Sequence, residues 1–194
     1  MRNHHHRMKT IFRFWLRPSR TIDELEQLPP NELKIRINFL FIAQSLLFAI
    51  QKPEQLNVVN LNEFLQAIAM LTLQTFFIFL AVKYAQTILF WALCKLFEGK
   101  ADMQKIRMAI SFSQSPFIIL LPFAILHYVA VLLSSDVTYK FSSPTYLLFI
   151  FSLITFSYFV ISLSKVSRFS YKYGILSVFL IASLGELLRL LISH

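Results

Sequence analysis

Two charges lie deep inside apolar stretches of this chain, Lys83 and Glu186. Lys83 precedes Lys95 by 12 residues and Glu186 follows Tyr173 by 13. Those spacings correspond to about 18 Å and about 20 Å of helical rise from one basic boundary. Matched depths allow an ion pair between two spans, which would lock a bundle or mark a polar route. Each charge also has a local alternative. Glu186 can reach Arg189 three residues on along its own helix, and Lys83 can snorkel or hold water near Tyr84 and Gln86.

The second feature is a polar cluster inside an apolar stretch: Ser111, Ser113, Gln114, Ser115 and Pro116. Pro116 removes a backbone hydrogen bond and frees an upstream carbonyl, which the neighbouring serines or another helix can satisfy. Pro122 repeats the effect six residues later. Transporters build binding sites from broken helices of this kind. Small residues at a kink also let two helices approach closely, and that packing reading is preferred here. Gly174, Ser177 and Gly185 read the same way.

Other chemistry is thinly represented. Cys94 is the single cysteine, so no internal disulfide forms, and it reads as a bystander thiol rather than a palmitoylation site. His127 is read as an interfacial or hydrogen-bonded histidine beside Tyr128. His4, His5 and His6 are adjacent on a polar terminus and are read as incidental rather than as metal ligands. The three glycines, Gly99, Gly174 and Gly185, make no phosphate-cradling loop. No nucleophile–base pair or metal-ligand spacing is found, so neither an enzyme nor a cofactor is expected.

The elements that must position these residues are membrane helices. The chain has 194 residues, 56% of them hydrophobic and 15% charged. Its mean hydropathy is +0.60. A soluble domain carries about 25% charged residues. Residues 1–34 are polar and form a cytoplasmic amphipathic segment; residues 35–194 form the transmembrane domain. Spans are expected at 37–50, 64–96, 108–133, 145–163 and 175–192. The first is short, about 21 Å. The second is one long helix, with Gly99 ending it and Asp102 capping the next. The fold class is therefore an all-α polytopic bundle of about five spans.

Lys and Arg concentrate in the N-terminal segment and in the turns near residues 95–107 and 165–172, against Lys52 and Lys140 opposite. That asymmetry places the N-terminus in the cytoplasm and the C-terminus outside or in a lumen. The formal net charge of +9 then points to anionic lipid headgroups rather than to nucleic acid.

In the N-terminal segment, Ile11, Phe12, Trp15 and Leu16 can share an apolar face, with Lys9, Arg13 and Arg17 available to phosphates. Pro18 breaks this helix. Ser19 or Thr21 can cap a short one through Asp23, Glu24 and Glu26, ended by Pro29 and Pro30. Trp15, Pro18, Arg13 and Arg17 are thus candidates for an interface anchor. The alternative is a cytosolic helix packed on its own protein.

Three features together resemble the Yip family of multi-span membrane proteins, named for interaction with Ypt/Rab GTPases and including bacterial members. "FWLRPSRTIDEL" is similar to the tryptophan-and-proline stretch before the first span of bacterial-type members. "LFEGKADMQKIRMAISFSQSP" resembles the family's turn between second and third spans, and carries Gly99, Lys100, Ser113 and Pro116. Five spans with a cytoplasmic N-terminus also agree. Glu98-Gly99 stands where paired glycines are common, and the Asp-Leu-Tyr-Gly-Pro element of eukaryotic members is absent.

The resemblance implies a non-enzymatic scaffold or adaptor in membrane organisation or trafficking, with a membrane or cytoplasmic protein partner. Its expected place is the bacterial inner membrane, or alternatively a eukaryotic endomembrane. The competing function is a small permease or transporter subunit. Its polar route would run through Lys83, Glu186, Gln44, Gln74, Gln86 and the Pro116 kink, with Lys83, Glu186 and Gln114 lining a common cavity.

Overall fold

The computed structural model describes residues 13–50, 61–133 and 145–192, with a few side chains within these ranges excepted. Every regular element among them is helical. After a helical turn at residues 13–16 come α1 (Pro18–Glu26), α2 (Pro30–Ile50) and α3 (Leu61–Leu80). A π-helical segment (Ala81–Gln86) joins α3 to α4 (Thr87–Leu96) without a break. Then follow α5 (Met103–Ser113), a 3₁₀ segment (Ser115–Leu120), α6 (Leu121–Leu133), α7 (Thr145–Ser167) and α8 (Tyr171–Ile192).

Three helices are long and apolar enough to cross a membrane: Pro30–Ile50, Asn62–Leu96 and Phe149–Ser167. A fourth is added if the pair Met103–Ser113 and Ser115–Ala130, bent by 44°, is one crossing. The apolar part described in α8, Tyr171–Leu184, is shorter. Expectations change at this end of the chain. The first span is not short, because its helix starts at Pro30 and not near residue 37; Pro30 occupies the first turn, where a missing N–H costs nothing. That start also puts the expected boundary at residue 34 inside α2. Nor does a side chain cap α1. Arg17 holds the N-cap position, and the Thr21 hydroxyl donates back to the Arg17 carbonyl at 3.0 Å.

Other local expectations meet their counterparts. Asn62–Leu96 is one helix of 35 residues, about 52 Å against a hydrocarbon core of about 30 Å. Asp102 caps α5 by accepting the Lys105 N–H at 2.8 Å.

α5 is the centre of the packing, in contact with α2, α4 and α7. The main core gathers at the end where α2 and α5 begin and α4 and α7 finish. Phe14, Ile22 and Leu25 enter it from the N-terminal segment, meeting Phe41, Phe90, Ile110, Phe112 and Leu163. A smaller cluster around Leu47, Ile50 and Ala124 holds the opposite end of α2.

Two turns close the large core and are built alike. The Gly99 N–H donates to Cys94 O and Glu98 N–H to Lys95 O; Phe169 N–H donates to Ser164 O and Arg168 N–H to Lys165 O. Both are Schellman ends. The left-handed position is held by Glu98 (φ 59°) in one and Arg168 (φ 56°) in the other, not by glycine. The Lys100 N–H then donates to Ser167 O at 2.9 Å and joins the two turns. Gly99 is needed for closeness instead: a Cβ there would lie 2.4 Å from Cys94 Sγ and 2.9 Å from Cys94 O.

Candidate functional site

The Ser-Gln-Ser-Pro break and the N-terminal segment come together. Pro116 sits in the first turn of the 3₁₀ segment, so the α-helical ladder of α5 stops at Ser113. The serines turn back onto α5: Ser113 Oγ donates to Ile110 O at 2.8 Å and Ser111 Oγ to Met108 O at 3.2 Å, while the Gln114 N–H goes to the Phe112 carbonyl. Ser115 is left with its hydroxyl facing the N-terminal segment. It accepts the Trp15 Nε1–H at 2.8 Å, across 100 residues of sequence. The Tyr158 hydroxyl donates to the Trp15 carbonyl.

Phe14 is fully buried beside this bond. Its ring lies 5.8 Å from that of Phe112 and meets Tyr158 edge-on at 5.4 Å. The segment is held outside the core by charge. Asp23 pairs with Lys165 at 3.1 Å and Glu26 with Lys105 at 2.9 Å. With Thr21, Ile22 and Leu25 buried, α1 shows one apolar face to the bundle and an acidic face to the bundle's lysines. The neighbouring aromatic pair Phe14-Trp15 was the available signal for this docking. Burial of Phe14 and the tie to Tyr158 were not read from the sequence.

The anchor candidates divide. Trp15 is half-buried and bonded inward, and Pro18 starts α1. Arg13 and Arg17 remain outward, with Arg20, around an open cleft of about 330 Å³ that includes Leu16 and Glu24. Arg13 and Arg20 both approach Glu24, at 3.6 and 3.5 Å. Leu16 is 82% exposed. Ile11, Phe12 and His4–His6 lie outside the described residues.

Among the family-motif candidates, Gly99 and Ser113 are buried and Pro116 is buried with them, while Lys100 is exposed. Gln114 is half-buried, with its Oε1 unpartnered in the interior. Gln44 is 2% exposed and has no hydrogen-bond partner at either side-chain atom. Lys83 lies in the π segment, its Nζ 4.8 Å from the Phe79 ring centroid and 5.1 Å from that of Tyr84. Its carbonyl accepts the Thr87 hydroxyl at 2.7 Å, which covers a group the widened turn exposes. The side chains of Glu186, Arg189 and His127 lie outside the described residues, and the Lys83–Glu186 pair with them.

Arg107, not singled out in the sequence, reaches the same ring: its guanidinium carbon is 5.3 Å from the Tyr84 centroid. Among the described residues no three His, Cys, Asp or Glu side chains gather as metal ligands. The arrangement is one of packing, ion pairs and cation–π contacts around a docked segment. Set against family models, curated proteins and solved structures, the chain matches none.

Proposed function

We propose that the chain is a non-enzymatic membrane scaffold or adaptor of the Yip type, with five spans and a cytoplasmic N-terminus. α8 supplies the fifth span. The basic turns at 95–107 and 165–172 lie on the cytoplasmic side, of a bacterial inner membrane or alternatively a eukaryotic endomembrane. The observation that supports it is the docked N-terminal segment. Phe14 and the Trp15–Ser115 bond fill the end of the bundle beside Gln114 with aromatic side chains. A platform of fixed shape results, its arginines facing outward toward anionic headgroups or a protein partner. Dynamic gating at that end is not what such packing favours.

Two measurements test the proposal. Purification in mild detergent, with mass spectrometry of what accompanies the protein, is expected to show a stoichiometric protein partner. That partner is lost when Arg13, Arg17 and Lys100 are replaced by Gln. A protein that carries no partner would sink the adaptor reading. Topology reporters fused at the two termini are expected on opposite sides of the membrane, because the span count is odd; reporters on the same side would exclude five.

The small-permease reading retains one observation in its favour, the unpartnered buried amide of Gln44. Proteoliposomes with a proton or solute flux that Gln44→Leu abolishes would favour it over the scaffold.

A further inference from the structure

Five ion pairs are formed among the described residues: Arg13 and Arg20 with Glu24, Arg36 with Glu32, Lys105 with Glu26, and Lys165 with Asp23. Neither Lys83 nor Arg107 belongs to any of them. Lys83 stands in a helix apolar enough to cross a membrane, and Arg107 in one that reaches that length only together with the bent Ser115–Ala130. Both lie against one aromatic ring, Lys83 Nζ at 5.1 Å and the Arg107 guanidinium carbon at 5.3 Å from the Tyr84 centroid. The Nε of Arg107 is buried and makes no hydrogen bond.

A π face offsets only part of the cost of a cation in a low-dielectric setting. Two cations beside one ring also repel each other. Among the described residues the cluster therefore lacks a compensating negative charge. It is open on one side, because Tyr84 is 42% exposed on a helix whose apolar stretch is almost wholly unburied. A π segment is what presents Lys83 and Tyr84 here, and such insertions recur at functional sites.

We propose that Lys83 and Arg107 form a seat for the phosphate of an anionic membrane lipid, entered sideways from the bilayer past Tyr84. A guanidinium matches two phosphate oxygens with two parallel N–H donors, and the flexible lysine supplies a second charge to the same group. A zwitterionic lipid fits less well, since it brings its own cation to a site that already holds two. The acyl chains of the bound lipid lie along the exposed apolar surface of α3 and α4. The seat needs only membrane-spanning helices, and it stands whether the protein is a scaffold or a permease.

The test uses the full chain in nanodiscs of mixed phosphatidylcholine and phosphatidylglycerol, released for native mass spectrometry. Lys83→Gln and Arg107→Gln are each expected to lower retained phosphatidylglycerol about tenfold, the loss of one charge-assisted hydrogen bond. The double variant loses the preference over phosphatidylcholine. Arg107→Lys keeps the charge without the fork and falls between. Lys165→Gln, at a lysine already paired with Asp23, leaves retention unchanged.

Undiminished phosphatidylglycerol on the double Lys83/Arg107 variant would overturn the proposal, as would equal loss in the Lys165 control. Where Arg107→Gln fails to fold, the wild-type chain decides. A photo-reactive phosphatidylglycerol is expected to cross-link within residues 79–87 and 103–111, and adducts confined to other helices would overturn the seat.

Discussion

α2 and the long α3–α4 helix are both apolar and both membrane-length, yet the fold treats them in opposite ways. Buried positions make up 56% of the apolar stretch in Pro30–Ile50 and 6% in Asn62–Leu96. Phe41 in the first is fully covered, whereas Phe76 and Phe77 in the second are 53% and 59% exposed. In water the second helix would be a liability; in a bilayer lipid tails cover it as well as protein would. The contrast teaches where this protein depends on its own packing. α2 lies against α3, α5 and α6 and is held by shape. α3–α4 lies along α2 but borrows most of its apolar surroundings from the membrane, and the buried side chains it adds to the large core are Phe90 and Cys94 near its end.

The sharpest way to break that contrast is a pair of phenylalanine truncations. Phe14→Ala empties a fully buried site between Phe112 and Tyr158 and is expected to cost about 3–5 kcal/mol. Phe77→Ala, on the lipid-facing side, is expected to change stability by no more than about 0.5 kcal/mol. Unfolding in mixed micelles measures both, and equal losses would show that the long helix is packed against protein after all.

A smaller effect sharpens the contrast at the turn where α4 meets the core. Gly99→Ala forces a Cβ against the Cys94 carbonyl and is expected to cost about 1–3 kcal/mol, as overpacking does. Next door, Glu98→Gly removes a side chain from a left-handed position and is expected to stabilise by up to about 1 kcal/mol. Thermal unfolding of the two variants should therefore move in opposite directions.

The smallest effect belongs to the charged rim. Asp23→Asn breaks an exposed pair with Lys165 and should cost less than about 1 kcal/mol. The loss should shrink as salt is raised. A larger, salt-independent loss would mean that Asp23 acts on the core.

Some of this was legible before any coordinates. The run from Phe64 to Leu96, interrupted at Lys83, has no turn chemistry, and it is one helix. Asp102 is a capping residue placed three before an N–H that needs an acceptor, and Lys105 N supplies it. A break at Pro116 was expected, and α5 ends at Ser113 just before it; Ser111 and Ser113 bond Met108 O and Ile110 O rather than the Phe112 carbonyl that the proline frees. Each of these rests on interactions within a few residues, where backbone geometry leaves little choice.

The chain by itself therefore determined helices, their punctuation and their membrane character. Apolar composition and proline, glycine and capping residues act locally, and no partner is needed to express them. Tertiary structure alone decided which faces meet. A membrane helix is apolar on all sides, so hydrophobicity cannot say whether Phe41 or Phe77 turns inward. Long-range pairings were equally unreadable: Trp15 to Ser115, Glu26 to Lys105, Arg107 to Tyr84. Their energies depend on two side chains brought together from distant segments, and spacing along the chain carries no trace of that distance.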